Sequence, residues 1–171
     1  MAAPMNDEEE QKNYELAERL LSEQNFAAAV IAGAVATILA AAAYGLTVAT
    51  WAFSYGFAAA GVGIVIGLSM GLLGRGVSTR FAAAATMFTI SGCVLGNFIR
   101  AIIELAPATA TSIIGVLRNS SFSALAERAI SYISLIDLVF WFVAVIAAVF
   151  LAKRPLSRSE RLAIGLFEMR G

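Results

Sequence analysis

The chain has 171 residues, 60% of them hydrophobic, with a mean hydropathy of +0.80 and a formal net charge of zero; soluble domains sit nearer about 45–50% apolar. It contains no histidine and one cysteine, Cys93, which excludes Ser–His and Cys–His catalysis, a His/Cys zinc site within one chain and an intrachain disulfide. The balanced charge, with no basic cluster interleaved with aromatics, leaves no footprint for nucleic acid.

The N-terminus, "MAAPMNDEEEQK", is acidic and polar. It lacks the basic region and apolar core of a signal peptide, so the first membrane helix is expected to be retained. Residues 1–25 read as an amphipathic leader with Tyr14, Ala17, Leu20 and Leu21 on one face, lying along the membrane or continuing into the first span.

Between Phe26 and Phe98 the only charged residues are Arg75 and Arg80. Uncharged apolar runs of this length predict membrane-spanning helices. Four are expected, over about 26–47, 56–73, 81–103 and 132–152, forming a transmembrane domain of residues 26–152. The first connection carries Trp51 and Tyr55, ring types that favour the membrane–water interface. The second, "LGRGVSTR", is tight and basic. The third, residues 104–131, is long. Pro107 is expected to end the third helix or its extension, Ile113, Ile114 and Leu117 to form one apolar face, and a break to fall near Asn119–Ser120. A lead-in helix then runs straight into the fourth span. Residues 153–171 form a basic tail, in which Ser157 and Glu160 match a capping box.

Placing both termini in the cytoplasm puts nine of the twelve basic residues inside: Lys12, Arg19, Arg75, Arg80, Lys153, Arg154, Arg158, Arg161 and Arg170. Arg100, Arg118 and Arg128 are left outside. That orientation satisfies the positive-inside rule.

Glycine punctuates the second span and the turn after it at 56, 61, 63, 67, 71, 74 and 76. Gly63, Gly67 and Gly71 recur every four residues, so one helix face is nearly bare of side chains. In lipid such faces let backbones approach closely, and dispersion and weak Cα–H contacts then hold the helices together. The first span carries Ala29, Gly33, Thr37, Ala41 and Gly45 at the same spacing, and the third Ala85, Thr89, Gly92 and Gly96. The fourth, "LIDLVFWFVAVIAAVFLA", is bulky. Spans one to three are therefore expected to form a tight core with span four outside it. The sequence leaves open whether each face meets its partner within the chain or in a neighbouring subunit.

Asp137 is the only acid inside an expected span. An intramembrane acid is a functional candidate by default. Arg100 and Asn97 fall at similar depth, so Asp137 and Arg100 could pair, with Asn97 bonded to either, in a structural role or in an ion or proton step; the alternative is that the charges snorkel separately to the headgroups. Arg75 could meet lipid phosphate, or act only as a topology determinant. Cys93 in the third span reads as a small hydrophobe.

The run "EQNFAAAVIAG" (Glu23–Gly33), "GVGIVIG" (Gly61–Gly67), "GRG" (Gly74–Gly76), Phe81 and "GCVLGN" (Gly92–Asn97) together resemble a family of small multi-span bacterial inner-membrane proteins. These occur alone or fused to zinc-ribbon or GYF-like domains. The resemblance covers about residues 23–97, with a weaker echo in span four. It implies a bacterial inner-membrane location and a free-standing form, since zinc-ribbon cysteines are absent, and it carries no site residue across.

The expected fold is thus an all-α integral membrane protein of four transmembrane helices packed through small residues, with interfacial amphipathic helices and no cofactor. Three functions compete. A structural or accessory subunit would assemble through the glycine faces, with itself or within a larger membrane complex. A small oligomeric channel or transporter would need polar residues along a span. A lipid-directed enzyme is disfavoured by the missing histidine, clustered acids and metal ligands.

Overall fold

A computed structural model describes residues 7–51, 55–109 and 111–168. The Tyr55 side chain, Arg170 and the first six residues of the leader lie outside that description. Eight helices occur among the described residues: α1 (Asp7–Ser22), α2 (Phe26–Thr50), α3 (Tyr55–Gly74), α4 (Thr79–Ala108), α5 (Ile113–Asn119), α6 (Phe122–Ser131), α7 (Leu135–Leu151) and α8 (Arg158–Glu168).

Three of them, α2, α3 and α4, are long and apolar enough to cross a membrane, and a fourth span is made if α6 and α7 count as one bent element. The lead-in helix does not run straight into the span: α6 and α7 meet at 92°. Ser134 forces the corner by capping α7, its hydroxyl accepting the Asp137 N–H at 3.2 Å. α7 has 17 residues, about 25 Å at the helical rise, which is the short end of the spanning range. α4 ends one residue past Pro107, at Ala108, and the Thr109 N–H donates to Leu105 O at 3.0 Å.

The four long helices form a ring in the order α2, α3, α7, α4. Span four is a full member of it, not an outer layer. The bulk of Phe140, Trp141, Phe142 and Phe150 draws attention from a small-residue line on the same helix, Ala144, Ala148 and Ala152, all fully buried. Into the centre of the ring α3 inserts Val62, Ile66 and Met70, which pack with Phe81, Ala85 and Cys93.

One end of the ring is tied together across the chain. The Asn25 N–H donates to Gly74 O at 2.9 Å and the Arg154 N–H to Gly76 O at 2.8 Å, beside a short parallel bridge between Gly76 and Lys153. Gln24 Oε1 accepts from the N–H of Val77 (3.2 Å) and Ser78 (3.3 Å) and from the Ser78 hydroxyl (3.1 Å). Arg154 bridges Glu23 at 3.2 Å and Glu160 at 3.5 Å. The start of α2, the end of α3 and the end of α7 therefore share one end of the bundle. Below them α1 packs against α8, burying Ala17, Leu20 and Ala163, with the Tyr14 and Phe167 rings 5.3 Å apart. The leader thus covers its apolar face with the tail helix. The Ser157–Glu160 box caps α8: the Ser157 N–H donates to Glu160 Oε2 at 2.7 Å, and Ser157 holds the Glu160 carboxyl below its usual range.

At the other end α5 and α6 fold back on α4. Val116 and Leu125 close a second small core with Ala106, flanked by Phe98, Ile102 and Leu105. Ile113, Ile114 and Leu117 share a face that points outward, each at least half exposed. It is Val116, outside that expected face, that docks the helix.

Candidate functional site

The small residues divide into two seams. Along the α3–α7 seam a Cβ placed on Gly63 would strike the Ala144 carbonyl, on Gly67 the Ala148 Cα and O at 2.8 Å each, and on Gly71 the Leu151 carbonyl. Backbone meets backbone here, and the partner of the glycine line is span four of the same chain. Along the α2–α4 seam a Cβ on Gly45 would strike the Gly96 carbonyl at 2.6 Å, while two other glycines hold rings. Gly33 receives Phe88, whose Cδ2 lies 2.8 Å from the notional Cβ, and Gly96 receives the Tyr44 ring. Gly92 accommodates Val62 Cγ1 of α3 at 2.9 Å.

Asn97, Arg100 and Asp137 were candidates for one cluster. The structure gives each of them a partner of its own. Asn97 is buried in the α2–α4 seam, where Oδ1 accepts from the Tyr44 hydroxyl at 3.4 Å. The buried indole N–H of Trp141 faces that hydroxyl without closing a hydrogen bond. Arg100 pairs along its own helix, its Nε donating to Glu104 Oε1 at 2.7 Å, and its guanidinium lies 4.0 Å over the Tyr132 ring. Tyr132 is also approached by Arg128, whose Nε donates to its hydroxyl at 2.8 Å. Asp137 is half-buried in the first turn of α7, with Oδ2 accepting from the Ser134 N–H (2.9 Å) and hydroxyl (2.6 Å).

Asp137 and Arg100 thus each have a partner close by in the chain. For Asp137 the physical reason is the helix start. α7 begins at Leu135, so Asp137 stands at the third helical position, where a carboxylate satisfies a free N–H and complements the helix dipole. Glu104 and Tyr132 were missed as partners of Arg100, although the Arg100–Glu104 spacing of four is a known helix pair.

The remaining buried polar side chains among the described residues are self-satisfied. The Thr37 hydroxyl donates to Gly33 O at 2.7 Å and the Thr89 hydroxyl to Ala85 O at 2.8 Å. Such an interior can hold helices in register, and its buried threonines and Asn97 are engaged within the chain.

Three or four apolar helices in a ring, with small-residue seams and terminal amphipathic helices, define a multi-span membrane protein. No family model, no curated protein and no solved structure matches the chain.

Proposed function

We propose that the chain is a non-enzymatic structural or accessory protein of a bacterial inner membrane, with both termini cytoplasmic. The observation that carries the reading is the closed interior. Its axis is filled by Val62, Ile66, Met70, Phe81 and Cys93, and its buried threonines and Asn97 bond inside the chain. A solute path would need polar groups lining a route through that axis.

The bacterial inner-membrane assignment rests on the family resemblance, and the cytoplasmic one on the distribution of basic residues. The shared end formed by α1, α8 and the 74–78 connection supports termini on one side. Assembly with a second copy or a larger complex fits a protein of this kind. The glycine lines are occupied within the chain, so the assembling surface is the lipid-facing one.

Purification from native membranes after cross-linking, with identification of what co-purifies, tests the reading; the expected result is a stable complex of defined mass. Ion or solute flux through liposomes holding only the purified chain would overturn it in favour of a channel or transporter. Reporters fused after Gly171 and near Asn119 test the orientation, with the first expected inside and the second outside.

A further inference from the structure

A groove of about 980 Å³ opens at the tied end of the bundle, between the C-terminal ends of α3 and α7 and the segment leading to α8. Its membrane-side wall is apolar: Leu72 and Phe150 are about three-quarters exposed, at 76% and 77%, and Leu68 lies beside them. Its rim holds Arg75, Lys153, Arg154 and Arg161. Glu23 and Glu160 both pair with Arg154. Among the described residues no carboxylate forms an ion pair with Arg75, Lys153 or Arg161. The rim therefore keeps positive charge directly above an apolar wall.

Arg75 adds a second observation. It follows α3 with φ of 48°, its N–H donating to Gly71 O at 3.1 Å. That is the left-handed cap position usually filled by glycine, and a residue with a side chain is strained there. Glycines flank it on both sides, so the local sequence places an arginine at the one position where glycine would fit better. The strain is explained if the guanidinium has a task.

We propose that this groove binds an anionic phospholipid, with the phosphate held by Arg75, Lys153 and Arg161 and an acyl chain laid against Leu72 and Phe150. Basic residues at the membrane surface favour anionic lipid by about 1 kcal/mol each, or about fivefold, and the apolar wall orients the chain. The proposal needs only that the bundle sits in a bilayer.

The test uses the full chain in neutral detergent, with dioleoyl phosphatidylglycerol and dioleoyl phosphatidylcholine as probes and lipid retention read by native mass spectrometry. Phosphatidylglycerol should be retained preferentially. The double variant Arg75→Gly with Lys153→Gln should lose about tenfold or more of that preference. Its lipid-free melting temperature should not fall, because glycine suits the left-handed position. A control of equal charge, Lys12→Gln with Arg118→Gln, should keep the preference. Equal retention of the two lipids, or equal loss in both variants, overturns the site. So does displacement by inorganic phosphate at the lipid's own concentration, or retention of dihexanoyl phosphatidylglycerol as strong as that of the dioleoyl form, since either leaves the apolar wall without a role.

Discussion

The two seams of the bundle use glycine for different purposes. In the α3–α7 seam glycine removes a side chain so that the facing backbone can approach, as at Gly67 against Ala148 Cα. In the α2–α4 seam Gly45 meets the Gly96 carbonyl in the same way, but Gly33 and Gly96 hollow a helix so that a ring can enter, as at Gly33 under Phe88. The difference lies in what can give way. A backbone in a packed helix cannot move without shifting the whole element, whereas a ring or a thioether can adjust locally. Tolerance to substitution should therefore follow the type of neighbour more than the distance to it.

The largest effect is expected at Gly67. Gly67→Leu should destabilise the protein in detergent by about 1–3 kcal/mol, as overpacking does elsewhere, and Gly67→Ala by less. No truncation at position 148 can rescue either, because the obstacle is the Ala148 main chain. An unchanged melting temperature for Gly67→Leu would mean that this face of α3 meets lipid, and the comparison would collapse.

Gly33→Ala should cost about 1 kcal/mol, and Phe88→Leu in the same chain should recover part of it. A double-mutant cycle measures the coupling. Strict additivity would place Phe88 outside the hollow.

At the start of α7, Asp137→Ala should cost about 1 kcal/mol, the usual value of a lost cap. It should be non-additive with Ser134→Ala and additive with Arg100→Ala within about 0.5 kcal/mol. Strong coupling to Arg100 would restore the intramembrane ion pair. Tyr44→Phe, which leaves the buried Asn97 carbonyl without its donor, should cost about 0.6 kcal/mol, the average for hydrogen bonds between membrane helices. No effect would show that Asn97 is satisfied elsewhere.

The smallest effect sharpens the comparison from the other side. Gly61 lies on α3 with nothing within 4 Å of a notional Cβ. Gly61→Ala should be neutral, or slightly stabilising through helix propensity. A marked loss of stability there would show that glycine matters along α3 for reasons other than contact.

Much of this architecture follows from composition and spacing. Long uncharged runs in α2, α3 and α4 have no stable place but lipid, and a lipid-embedded backbone must close its hydrogen bonds within a helix. The break after Asn119 is written in local chemistry too, since the Ser121 hydroxyl accepts the Ala124 N–H at 3.3 Å to start α6. The Ser157–Glu160 cap is of the same kind. The tertiary structure decided which faces meet. A line of small residues specifies close approach without naming a partner, and Gly63, Gly67 and Gly71 could have met α2 or α4 as readily as α7. The choice depends on how all four helices fill the ring at once, and Ala144, Ala148 and Ala152 supply a complementary line at matching depth. Asp137 shows the same limit. Its depth in the chain suggested Arg100, but a bend of 92° before α7 put it at a helix start, where its nearest N–H and hydroxyl belong to Ser134. The sequence by itself therefore determined the class of protein and the faces available for packing, because periodicity and hydropathy are local. Only the tertiary structure determined the pairing of those faces and the shape of the basic groove, because both depend on contacts between residues far apart in the chain.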